Sequence, residues 1–129
     1  FDSTALSALL VKPIFYGVVL PAPDMPKTIY AYCLAYITSM QADIIALGTD
    51  KTKQGRGFGR IILQHLIDVT EQQNVPEITL EVAADNMPAR RLYDSCGFRV
   101  LGIRKDYYYR GENRSDALIM VRQFRSAFP

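Results

Sequence analysis

At 129 residues, 49% of them hydrophobic and 22% charged, the chain has the size and make-up of one globular domain. That composition excludes a disordered, collagen-like or disulfide-framed protein. Fifteen Lys and Arg against 13 Asp and Glu leave a net charge of +2, unevenly spread: −2 over residues 1–50 and +4 over residues 51–129. An anionic ligand is therefore expected to meet the second part of the chain.

The opening Phe1-Asp2-Ser3-Thr4 lacks the basic start of a signal peptide, and no apolar run approaches the roughly 20 residues of a membrane span. The expected setting is cytoplasmic, with no membrane partner. Thr4–Leu10 reads as the remnant of a helix. Ile14–Leu20, rich in β-branched and aromatic residues, reads as a strand, and the prolines of Pro21–Lys27 predict a loop. In Ile29–Thr38 the residues Ile29, Ala31, Cys33 and Ala35 alternate with Tyr30, Tyr32, Leu34 and Tyr36, a second strand. Asp43–Thr49 is a continuous apolar run, expected as a central strand covered on both faces.

A helix is predicted from about Gly57 to Gln73, with Phe58, Ile62, Leu66 and Val69 on one face and Pro76 beyond its end. Ile78, Leu80 and Val82 alternate with Thr79, Glu81 and Ala83, the period of a strand. Asn86 and Pro88 open a short helix to about Cys96, which Gly97 stops. Two closing strands, near Phe98–Arg104 and Asp116–Phe124, are joined by a polar loop. The order predicts an α/β fold, a mixed central sheet flanked by helices, with no internal repeat or domain boundary. Cys33 and Cys96 read as reduced, buried thiols, and a single histidine, His65, without a CxxC pair offers no metal set.

Gln54-Gly55-Arg56-Gly57-Phe58-Gly59-Arg60 sits where a strand leads into a helix. There the first helical N–H groups have no internal partner and the helix dipole is positive. Glycines let a phosphate approach those amides, and Lys51, Lys53, Arg56 and Arg60 add charge. A nucleotide P-loop would need Lys-Ser/Thr after the last glycine, and a dinucleotide fingerprint GxGxxG; neither is present. A plain helix-capping turn explains the glycines but not the clustered bases, so a pyrophosphate cradle is the better reading. With a net +2 and no long basic run, nucleic acid is not expected as a partner.

Glu81 points away from the apolar face of its strand, where partial desolvation would suit a general base; a salt-bridged surface Glu is the plain alternative. Asn86 is explained by capping alone. Tyr93 suits either packing or proton donation.

Gln54-x-x-Gly57-x-Gly59 and Asn86-x-x-Ala89-x-x-Leu92-Tyr93-x-x-x-Gly97-Phe98 resemble the two signatures of the GNAT acetyltransferases. Leu80-Glu81-Val82, Arg104-Lys105-Asp106-Tyr107-Tyr108 and Asp116-Ala117-Leu118-Ile119-Met120 are similar to the RimI-like N-terminal acetyltransferases within that family. The resemblance spans roughly residues 29–124. It implies one GNAT domain over residues 1–129, lacking the family's first strand and most of its first helix. It implies acetyl transfer from acetyl-CoA to a protein α-amino group, in bacterial members the N-terminal alanine of a small-subunit ribosomal protein. It also implies roles: Glu81 as general base and Tyr93 as proton donor. Leu47, Gly48 and Thr49 would bind the pantetheine and acetyl carbonyl. Gln54, Gly55, Arg56, Gly57, Phe58, Gly59 and Arg60 would hold the pyrophosphate, with Asn86 as a further coenzyme contact and Tyr107 and Tyr108 over the acceptor's first residues. Thr49 stands where valine is usual, and Asp106 where asparagine is common.

Overall fold

The computed structural model describes residues 14–50, 52 and 54–124. The helix expected over Thr4–Leu10, together with Lys51 and Lys53, lies outside the described residues. In chain order the elements are β1 (Ile14–Ala22), β2 (Met25–Ile37), β3 (Ala42–Thr49), α1 (Phe58–Gln72), β4 (Glu77–Ala83), α2 (Met87–Ser95), β5 (Arg99–Arg110) and β6 (Asn113–Gln123). The strands form one six-stranded sheet in the order β1-β2-β3-β4-β6-β5. All neighbours run antiparallel except β3 and β4, which α1 joins as a parallel crossover.

The apolar periodicities explain the packing. Ala31, Cys33, Ala35 and Ile37 of β2 share one buried cluster with Ile62, Leu63, Leu66 and Ile67 of α1, with Ile78, Leu80 and Val82 of β4, and with Tyr93 of α2. Both helices therefore cover the same face of the sheet. Thr70 is buried on α1 because its hydroxyl donates back to the Leu66 carbonyl at 2.7 Å. His65 points outward.

Three expectations change. Pro21–Lys27 is no open loop: β1 runs through Pro21, and β2 resumes at Met25 after a tight turn. Among the described residues β1 is the outermost strand, with register shifts around Pro21, the setting in which a strand tolerates a residue without an N–H. The polar loop expected between the last strands shrinks to a turn at Gly111 and Glu112, since β5 and β6 extend toward each other. β3 is third of six strands, yet Asp43 and Ile45 on its second face are exposed. Among the described residues nothing packs over that face, where Phe15, Val19, Tyr32 and Tyr36 are also exposed.

Candidate active site

β3 and β4 pair at only three positions, Ala42↔Ile78, Asp43↔Thr79 and Ile44↔Leu80. The Thr79 hydroxyl donates to the Asp43 carboxylate and accepts from the Gln41 amide at 3.0 Å, which ties the strands together at this vertex. Beyond it they part. On β3 the cause is a bulge: Leu34 pairs with Ala46 and Ala35 with Ile44, so Ile45 is an extra residue. On the other side, β6 holds β4 along its whole length from Glu77 to Ala83. Backbone groups of β3 that would have met β4 instead border a cleft of about 1010 Å³.

Leu47, Gly48 and Thr49 form one wall of this cleft, and Gln54, Gly55, Gly57, Phe58, Gly59 and Arg60 form its mouth. Gly48 has a steric reason to be glycine: a Cβ there would come within 2.4 Å of the Tyr32 ring paired across from it. Gly57 caps α1 with φ of 83°, a left-handed conformation that favours glycine. No side chain caps this end and no acid stands in the first turn, so the leading N–H groups of α1 are open to an anion.

The two arginines of the turn sit differently. Arg56 is exposed and lies outside the cleft lining. Arg60 lines the cleft, but its guanidinium donates to Ser95 Oγ at 2.7 Å and to Cys96 Sγ at 3.6 Å. It braces the first turn of α1 against the end of α2. Arg91, to which no sequence signal pointed, is a second cation in the lining.

Asn86 does both things suggested for it. Its side chain caps α2 by accepting the Ala89 N–H at 3.3 Å, and it also lines the cleft. α2 carries Tyr93 inward, 7% exposed and edge-on to Phe98 at 5.8 Å between ring centres. Burial, with the Cys33 thiol nearby as a smaller cause, pushes the Tyr93 phenol up to about 12. Cys33 itself is pushed up to about 11 by burial.

Glu81 and Tyr93 both line this cleft. Glu81 keeps 33% of its side-chain surface accessible and pairs with Arg104 at 3.4 Å. A second cavity of about 480 Å³ lies along the Thr79–Glu81 face of β4. Glu81 and Tyr108 line both cavities and stand where they meet. Tyr107 lines neither; it stacks edge-on against Tyr108 with centres 5.3 Å apart, and beneath the Arg104 guanidinium. The structure thus gathers every predicted site residue around the cleft except Arg56 and Tyr107.

The sequence profile of the Acetyltransferase (GNAT) family matches residues 16–98. The chain belongs to the GNAT family. Among curated relatives, the [ribosomal protein bS18]-alanine N-acetyltransferase of Escherichia coli K12 is 38% identical over 91 residues, 70% of this chain and 62% of that protein. The chain thus spans less than two thirds of that relative's length. A Bacillus subtilis relative provisionally given the same activity is 32% identical over 126 residues, 92% of this chain and 82% of its own. The crystal structure of the Escherichia coli ribosomal-protein-S18-alanine N-acetyltransferase superposes with a TM-score of 0.82 at 28% identity, covering 98% of this chain and 79% of that one. The GNAT fold expected from the sequence is the one observed.

Proposed function

We propose that this GNAT domain moves an acetyl group from acetyl-CoA to the N-terminal α-amino group of a protein, a ribosomal protein with N-terminal alanine being the first candidate. The observation that carries this reading is the junction at Glu81: one cavity leads from it to the open N-terminus of α1, a second leads away along β4. Donor and acceptor can then approach one carboxylate from two sides. The printed activity of the Escherichia coli relative supports the acceptor class. An Arabidopsis Naa50, 25% identical with a TM-score of 0.69 over 78% of this chain and 69% of its own, was solved with a CoA-peptide bisubstrate analogue.

Acetyl-CoA supplies an activated thioester. The residues of the chain do the rest. The amides at the start of α1 hold the pyrophosphate, and backbone N–H groups of Leu47–Thr49, which line the cleft, serve as donors to the developing oxyanion. An α-amine, with a reference pKa near ~7.7–8.0, is mostly protonated at neutrality and cannot attack. Glu81, directly or through a water, takes that proton and frees the nitrogen lone pair for attack on the thioester; once the C–N bond has formed, the nitrogen loses a second proton to solvent as the thiolate departs. Tyr93 keeps its phenolic proton throughout the neutral range and presents it to the departing sulfur. Tyr108 walls the acceptor side and Tyr107 supports it. The proposed setting is cytoplasmic; among the described residues no helix is long and apolar enough to cross a membrane.

Purified protein mixed with acetyl-CoA and an N-terminal-alanine peptide should release thiol and acetylate the α-amine. Blocking that amine while leaving lysines free should abolish the reaction. Continued release would move the assignment to lysine side chains or small amines.

A further inference from the structure

We propose that Asp116 is the positioning residue of the acceptor side, holding a two-residue bulge in β5 that places Tyr108 beside Glu81. The proposal rests on the acetyl-transfer reading above and names the residue that shapes the acceptor cavity.

The register carries it. Arg104 pairs with Ala117 and Tyr108 with Ser115, so β5 advances four residues while β6 advances two. The surplus contains Asp106, whose φ of 53° is left-handed in a residue that is not glycine. Aspartate is among the few residue types that enter this region readily, but a bulge also takes an N–H out of the ladder. Asp116 Oδ1 accepts the Asp106 N–H at 2.9 Å, and Oδ2 accepts the Lys105 ammonium at 3.4 Å. The backbone carbonyl of Asp116 accepts the Ala84 N–H at 2.8 Å, which fixes β6 to the turn leaving β4. One residue thereby joins the bulge to the strand that bears Glu81.

Removing the bulge has a definite geometric consequence. In a regular ladder continued from Arg104↔Ala117, Asp106 rather than Tyr108 would lie opposite Ser115. Tyr108 would be carried two positions toward the hairpin tip, about 7 Å at the usual rise per residue. It would then leave the junction of the two cavities, and the Tyr107 ring would lose its place beneath Arg104. The cleft between β3 and α1 does not involve this ladder and would persist. The Asp106 amide, and secondarily Lys105, hold the Asp116 carboxyl below its usual range, which keeps the acceptor ionised.

The test compares Asp116→Ala and Asp116→Asn in thiol release with acetyl-CoA and an N-terminal-alanine peptide. Asp116→Ala should raise KM for the peptide about tenfold or more, as misplaced positioning groups do, with KM for acetyl-CoA unchanged. Asp116→Asn, whose side-chain oxygen can still accept the Asp106 N–H, should recover most of the loss. Lys105→Ala should behave as the parent, because that side chain is 80% exposed. Asp116→Ser, too short to reach the amide, serves in place of alanine if that variant fails to fold. Equal rises in both KM values, an unchanged peptide KM, or no recovery with asparagine would overturn the proposal. A parent protein inactive on every peptide refutes the acetyl-transfer reading instead. Hydrogen exchange at the Asp106 amide then decides: acceleration in Asp116→Ala but not in Asp116→Asn supports the bulge clamp, and unchanged exchange in both overturns it.

Discussion

Replacing Tyr93 by phenylalanine removes one oxygen from a ring that is 7% exposed and already packed edge-on to Phe98. The ring contacts survive, so folding stability should move by no more than about 1 kcal/mol. The effect on chemistry follows from the phenol's proton affinity. With Tyr93 pushed up to about 12 and a free thiol near ~8.5, complete proton transfer to a departing thiolate is uphill by about 3.5 units, or about 5 kcal/mol. On the acetyl-transfer reading proposed above, the phenol would then keep its proton and serve as a hydrogen-bond donor to the leaving sulfur, which solvent would protonate. Hydrogen bonds to a charged partner contribute about 1.5–3 kcal/mol, which corresponds to about 10- to 150-fold in rate. Steady-state thiol release should show kcat lowered by that factor, with KM for acetyl-CoA unchanged. An unchanged kcat would remove Tyr93 from the reaction. A fall of more than about 10³-fold would refute the hydrogen-bond argument, because only true proton transfer reaches the upper range of acid catalysis.

Glu81→Gln should lower kcat by about 10²–10⁴-fold, the usual span for loss of a general base, while coenzyme A still raises the melting temperature; retained turnover would move the base elsewhere. Gly48→Ala must displace the Tyr32 ring, which an added Cβ would approach to 2.4 Å. It should weaken coenzyme A binding and lower stability by about 1–3 kcal/mol, as overpacking does, and pairing it with Tyr32→Ala should restore both. Stability should also fall in alkali. The folded state holds the Cys33 and Tyr93 protons to about 11 and about 12, against ordinary values of 9.0 and 10.0, so the unfolded chain releases them first. Each contribution is complete below its ordinary value and is lost as pH rises through the folded value, at most about 2–3 kcal/mol per group. Denaturant unfolding at pH 8 and pH 11 should show the decline, reduced in Cys33→Ala; a flat profile would contradict the burial of both groups.

Helices and strands were legible because their signals are local. Asn86, Pro88 and Gly97 bound α2 where the sequence places it, with Gly97 at φ of 90°. The alternation of β4 and the apolar stripe of α1 likewise predict the buried faces observed. Errors arose where periodicity is broken by pairing. The residue pairs Leu20↔Ala31 and Pro21↔Ile29 leave Tyr30 as an extra residue, which turns its ring onto Phe58 at 4.6 Å and leaves Ile29 exposed, against the simple alternation. No residue type announces the bulge at Ile45 either, because it is a property of two strands.

The sequence by itself determined the family, the helix-start turn and the identities of Glu81, Asn86 and Tyr93, since glycine spacing, capping and signature residues lie within short windows. Only the tertiary structure decided which of them share a cavity. It tied Arg60 to Ser95, left Arg56 and Tyr107 outside the cleft lining, and added Arg91 to it. It also paired Glu81 with Arg104, a residue distant in sequence. Three register positions and then divergence create the cleft. That divergence comes from the extra residue in β3 and from the hold of β6 on β4, neither of which is written in any single stretch of chain.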